Sequence, residues 1–123
     1  MTFDTQRTVE SPTGATLNLY TAAPKAPRAV VQLNHGLSEH AARYARFAAF
    51  LKARGVALYT HDHRGHGHTK APDAPLGHFG TEPAAHKVVA DVGAAHDTIA
   101  HDHPDVPVIV FGHSMGSLIA MNF

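Results

Sequence analysis

The chain has 123 residues, ten basic and ten acidic side chains, and no cysteine. That length suits one domain with a modest core, and the cancelling charges point to neither nucleic acid nor an anionic membrane surface as a partner. Without cysteine there is no disulfide framework, thiolate nucleophile or thiolate metal site; no secretory signal is visible at Met1–Arg7 and no apolar run approaches the roughly 18 residues of a membrane span, so the default expectation is a cytoplasmic protein with no transmembrane segment.

Arg7 to Tyr20 reads as two short strands around Ser11-Pro12-Thr13-Gly14, where Pro and Gly preset a reversal. Ala22 to Pro27 is a Pro-punctuated connector. Ala29-Val30-Val31-Gln32-Leu33 is a short apolar run suited to a central strand, ending at Asn34-His35-Gly36-Leu37. A helix is expected from about Glu39 to Arg54, with Tyr44, Phe47, Ala48 and Leu51 on one face, Ser38 as its cap and Gly55 as its C′ residue. Val56 to Thr60 is the next strand, followed by a long Gly/Pro/His loop from about Asp62 to Gly80. A second helix is expected from about Glu82 to His101, capped by Thr81 and ended by Pro104, with Val88, Val92, Ala95 and Ile99 as its buried stripe. Val106 to Phe111 reads as a buried strand, and Leu118-Ile119-Ala120-Met121 opens a third helix.

Alternating strand and helix after an opening hairpin predicts an α/β fold: a mostly parallel sheet with an antiparallel N-terminal hairpin and flanking helices. In such open sheets ligands bind beyond the carboxyl ends of the strands. The residues that invite a chemical reading all lie there.

Between the last strand and the last helix stands Gly112-His113-Ser114-Met115-Gly116, a G-x-S-x-G pentapeptide in the strand–turn–helix context of a nucleophile elbow. A serine hydroxyl needs a base to become a nucleophile and must stand clear of the backbone. A sharp turn exposes it, and glycine at 112 and 116 removes side chains that would collide. An acyl-transfer oxyanion needs two convergent N–H donors. One would be the Met115 amide; the other would come from the loop after the first parallel strand, where Gly36 permits the conformation that aims the Leu37 amide inward.

Taken together the chain resembles the α/β-hydrolase superfamily, and within it the branch of monoacylglycerol lipases, bacterial lysophospholipases and serine aminopeptidase-like hydrolases. Three motifs carry the resemblance: His35-Gly36-Leu37-Ser38-Glu39-His40 with Arg43-Tyr44 after it, Asp62-His63-Arg64-Gly65-His66-Gly67, and Gly112-His113-Ser114-Met115-Gly116. The resemblance implies Ser114 as nucleophile, with the Leu37 and Met115 amides as the oxyanion hole. It makes His35, Gly36, Asp62, Arg64, Gly65, Gly67, Gly112, His113 and Gly116 structural supports, the Asp62–Gly67 loop bracing the oxyanion loop. Thr69 replaces the serine usual after the His-Gly pair. The substrate implied is a carboxylic ester such as a monoacylglycerol or a lysophospholipid, a small-molecule acyl ester or lipid, and no cofactor is implied.

In this branch the acid and base of the triad follow later strands, more than 100 residues beyond the nucleophile, with a substrate-selecting lid between them. Residues 1–123 are therefore expected to be an incomplete α/β-hydrolase domain that runs just past the elbow, nearly inactive alone. Two other readings stand beside this one. The chain has 12 histidines where average usage gives about three, and His61, His63, His66 and His68, spaced two or three apart beside Asp62, admit a reading as a zinc or nickel site in a His-rich metal-binding module. The bland reading, with no metal site, fits better, because the family commonly has histidine at 63 and 66. His96, His101 and His103 are expected to be solvated. The other alternative is a non-catalytic truncated interaction domain with an open sheet edge at 106–111. Nothing in the sequence sets the oligomeric state.

Overall fold

A reversal at Ser11–Gly14 closes the first hairpin. Gly14 takes φ +91° and the Ser11 and Ala15 backbones pair across the turn at 2.9 Å. A computed structural model describes residues 3–36, 39–74 and 84–123. Its elements are β1 (Thr5–Glu10), β2 (Thr16–Ala22), β3 (Ala29–Asn34), a 3₁₀ turn (Ala41–Tyr44), α1 (Ala45–Lys52), β4 (Val56–His61), α2 (Ala84–Asp102), β5 (Val108–Gly112) and α3 (Met115–Met121).

The strands form one sheet in the order β1-β2-β4-β3-β5. β1 and β2 pair antiparallel, as do β2 and β4, while β3 runs parallel to both β4 and β5. The register aligns Thr60 with Leu33 and Leu33 with Phe111, so β4, β3 and β5 end side by side. Chain direction across the sheet reverses at β3: β4 lies to one side of it and β5 to the other. That reversal creates the crevice in which open α/β sheets hold ligands.

The sheet is covered on both faces. On one, Ala48, Phe47 and Leu51 of α1, with Tyr44 of the 3₁₀ turn, pack against Val31, Leu33 and Leu58. On the other, Ile99 of α2 packs with Leu19, Val30, Ala57 and Tyr59, and Val88 and Val92 meet Ile119 of α3. The alternation of Val30 and Val31 to opposite faces is the period-2 pattern of a two-sided buried strand. Among the described residues no helix is long and apolar enough to cross a membrane.

Three expectations need correction. The first helix does not begin at Glu39: His40 is extended (φ −149°, ψ 162°), a 3₁₀ turn follows, and the α-helix spans only Ala45–Lys52. A tertiary contact is the cause, since the first amide of the turn, Ala41 N–H, donates to Asp62 Oδ1 at 2.7 Å. Second, the last strand is not buried: Ile109 is 56% exposed and Phe111 44%. Among the described residues β5 pairs with β3 alone, and on the α1 side Phe47 meets Phe111 ring to ring at 6.0 Å. Third, His96 is half-buried, with Nδ1 2.9 Å from Gln32 Oε1 and its ring against Phe123. Its helix turns it toward the amide of Gln32 on the central strand. Gly55 does take a positive φ of +81°, but the helix ends at Lys52 with Ala53 as its C-cap, so Gly55 lies one residue beyond the C′ position expected of it; the expected caps Ser38 and Thr81 lie outside the described residues.

The same substitution should therefore have opposite weights at two isoleucines. Ile99→Ala, fully buried between α2 and the sheet, is expected to cost about 2–5 kcal/mol. Ile109→Ala should change stability by about 0.5 kcal/mol or less. Urea unfolding followed by circular dichroism distinguishes them.

Candidate active site

β3, β4 and β5 are neighbours, so the loops leaving their carboxyl ends are neighbours too. The loop after β3 begins His35-Gly36, the loop after β4 begins Asp62, and β5 runs into His113-Ser114. The first lies between the other two.

The turn at Ser114 is forced. Ser114 has φ 56° and ψ −117°, the one described non-glycine residue with positive φ. Such a conformation stores on the order of 1–3 kcal/mol and persists only when the surroundings over-determine it. They do so here. A side chain on Gly116 would begin 2.0 Å from the Asn34 carbonyl oxygen, and one on Gly112 2.4 Å from the Gly116 carbonyl oxygen. The His113 amide donates to the Asn34 carbonyl at 3.1 Å, the Gly116 amide to that of His113 at 2.9 Å and the Ser117 amide to that of Ser114 at 2.9 Å. Among the described residues, the hydrogen bonds of the turn leave the Met115 amide unused. Ser114 itself is exposed.

Gly36 lies against this turn. A side chain there would begin 3.3 Å from Ser114 Cβ and 3.1 Å from the His113 carbonyl. Its amide donates to Glu39 Oε2, and the same oxygen lies 3.1 Å from His113 Nδ1. The other oxygen accepts the Tyr44 hydroxyl at 2.8 Å. Burial opposes charge on Glu39, but the hydrogen bonds from Tyr44, His113 and Gly36 outweigh it and hold the carboxyl below its ordinary value. Burial and that carboxylate push the Tyr44 hydroxyl up to about 12. Leu37, the expected second oxyanion donor, lies outside the described residues.

Behind this loop sits a nearly dry polar cluster. His35 is fully buried; its Nδ1 donates to the Gly36 carbonyl at 2.7 Å and its Nε2 accepts the His63 amide at 2.9 Å, which fixes the neutral Nδ1–H tautomer. Rings 35 and 63 stand 4.3 Å apart, 35 and 66 5.3 Å, and 61 and 63 5.0 Å. Asp62 accepts from Asn18 Nδ2 at 2.8 Å, the Ala41 amide at 2.7 Å and the His68 amide at 2.9 Å. A side chain on Gly67 would collide with that carboxylate at 2.2 Å, and Gly65 also takes positive φ. The Thr69 hydroxyl donates to the Asp62 carbonyl and accepts the Asn18 amide, a task any hydroxyl residue can perform, which explains why threonine serves where serine is usual. Among the described residues no three His, Asp or Glu side chains are arranged to hold a metal ion.

Arg64 is fully buried, with Nε 2.8 Å from Asp91 Oδ2, Nη1 3.0 Å from Asp73 and Nη2 2.7 Å from the Thr13 hydroxyl. Asp91 also accepts the Ser11 and Thr13 hydroxyls at 2.6 and 2.7 Å. One guanidinium thus ties the hairpin turn, the loop after β4 and α2 together. Two residues of this architecture escape the reading of the sequence. Asp91 could have been found as the carboxylate interrupting the apolar stripe of α2. Glu39 carried no signal beyond its place in the first motif.

A mixed sheet that carries a strained serine turn at the end of one of its parallel strands, with a His-Gly loop touching it, is the core of an α/β-hydrolase. The chain belongs to the serine aminopeptidase S33 family, whose profile matches residues 25–123. It is 37% identical over 95 residues to mouse monoglyceride lipase, covering 77% of this chain and 29% of that protein. It is 39% identical over 97 residues to the monoacylglycerol lipase of Mycolicibacterium smegmatis, covering 79% and 32%. Among solved structures, a highly thermostable carboxyl esterase from Bacillus coagulans, crystallised with glycerol, superposes with a TM-score of 0.85 at 30% identity, over 99% of this chain and 39% of that one. The chain thus spans about a third of the length of the curated relatives it matches.

Burial holds His35 below its ordinary value, brings His61 down to about 4 and holds His63 well below the usual imidazole range. The unfolded chain therefore binds more protons than the folded one, and stability present at neutral pH is lost as pH falls from about 6.5 toward 4. Each such imidazole contributes at most about 1.4 kcal/mol per pH unit where it is charged unfolded and neutral folded. Urea midpoints measured across that range should drop steeply, and His61→Leu should remove about one proton from the slope. Independently, Asp91→Ala should cost about 3 kcal/mol by removing the buried carboxylate on Arg64 Nε, with Asp73 left as a partner on Nη1, and the double change with Arg64→Met should recover part of that loss in thermal melts.

Proposed function

We propose that this chain carries the nucleophile and oxyanion-stabilising half of a serine hydrolase that cleaves carboxylic esters, with monoacylglycerols or lysophospholipids as the substrate class. The observation that carries this reading is Ser114 held at φ 56° by contacts that admit only glycine at 112 and 116. Nothing in folding benefits from a serine in that conformation, whereas a nucleophile gains exposure from it. The relatives named monoglyceride or monoacylglycerol lipase support the substrate class.

In this reading Ser114 Oγ attacks the ester carbonyl carbon and forms the acyl-serine as the alcohol leaves; water then hydrolyses that ester to release the acid. The Met115 amide, unused by the turn, and the Leu37 amide of the loop after β3 receive the tetrahedral oxyanion. Asp62, Arg64, Gly65 and Gly67 brace that loop through His35 and Gly36. His35 does not serve as the base, since both of its ring nitrogens are already engaged. The acid and base belong to the part of the family domain beyond the length this chain spans, so residues 1–123 form an incomplete domain.

Two measurements test this. A fluorophosphonate probe should label Ser114 slowly and Ser114→Ala not at all, and p-nitrophenyl ester turnover by the chain alone should be close to the uncatalysed rate. Labelling that survives Ser114→Ala would overturn the nucleophile assignment, and rapid turnover would overturn the incomplete-domain reading.

A further inference from the structure

The buried carboxylate of Glu39 has no part in the mechanism above, yet it touches both halves of the site. Its side chain is 6% exposed. Oε2 accepts the Gly36 amide and lies 3.1 Å from His113 Nδ1, while Oε1 accepts the Tyr44 hydroxyl at 2.8 Å and lies 3.4 Å from Arg43 Nη1. Gly36 opens the loop after β3, and His113 immediately precedes Ser114. Glu39 is therefore the side chain that joins the oxyanion loop to the elbow.

We infer that Glu39 is a positioning residue: its carboxylate clamps the Gly36 amide toward the elbow histidine and so holds the start of the loop after β3 against Ser114. The inference rests on the ester-cleaving reading of Ser114 for its consequence, though the clamp itself does not. A charge-assisted bond from a backbone amide is among the stronger hydrogen bonds a protein forms. A peptide held this way cannot rotate without leaving a buried carboxylate short of a donor. The surrounding donors serve a second purpose. A bare anion beside a developing oxyanion would repel it, and Gly36, His113, Tyr44 and Arg43 together disperse that charge.

The test uses the whole chain, with glycine labelled by ¹⁵N, and the variants E39Q and E39L. Gln keeps the oxygen and shape but loses the charge; Leu removes both. In the wild type the Gly36 amide proton should resonate well downfield of the other glycines, move part of the way back in E39Q and the whole way in E39L. Fluorophosphonate labelling of Ser114 should slow by up to about 10²-fold in E39L, the scale of a misplaced catalytic group, and by about tenfold or less in E39Q. An unmoved Gly36 resonance in E39L, or equal labelling losses in E39Q and E39L, overturns the inference. Should E39L not fold, the Gly36 shift in isosteric E39Q decides. Should even the wild type resist labelling, the ester-cleaving reading fails while the Gly36 resonance still settles the clamp.

Discussion

The first turn of α3 approaches the end of β3 so closely that only hydrogen fits between them. Gly116 faces the carbonyls of Asn34 and His35 at distances where a β-carbon would overlap, and Gly112 faces Gly116 in the same way. This contact makes strand and helix meet at a sharp angle, drives Ser114 into positive φ and lifts its hydroxyl out of the backbone. It also brings Gly36 into touch with Ser114. One steric fact therefore sets the geometry of Ser114 and its distance from the neighbouring loop, and both would relax together if a side chain were inserted.

Holding the loop after β3 against that turn takes polar rather than apolar material. Behind it lie Asp62, Arg64, Asp91 and the rings of His35, His61 and His63, all nearly inaccessible to water. Such groups contribute little net stability, because burial withdraws them from solvent. They offer direction instead: each accepts or donates along a defined axis, which leucine and valine cannot do. Both ring nitrogens of His61 lack a hydrogen-bond partner among the described residues. The apolar clusters on the two faces of the sheet supply the stability; the polar cluster supplies the aim.

Much of this was readable in the residues. The strands are short apolar runs cut by Pro and Gly, and the elbow announces itself because steric exclusion leaves glycine as the sole choice at two fixed positions. The parts that were not legible depend on partners distant in sequence. Glu39 looks like the opening of a helix until Asp62, 23 positions later in the chain, takes the amide that a local cap would have used. Asp91 looks like a flaw in an apolar stripe until Arg64 is placed opposite it. Val106 to Phe111 reads as buried because apolarity records what a strand prefers to touch, not which neighbours stand beside it. His96 likewise gave no sign of Gln32, since the two meet only once α2 lies across β3.

The backbone of Ser114 carries an evolutionary consequence. At φ 56° glycine is the residue that folding alone would choose, and replacing serine by glycine there relieves strain instead of adding it. Conformational stability and chemistry thus pull this one codon in opposite directions. A lineage released from the need to hydrolyse anything would drift toward glycine at 114 and grow sturdier as it did so.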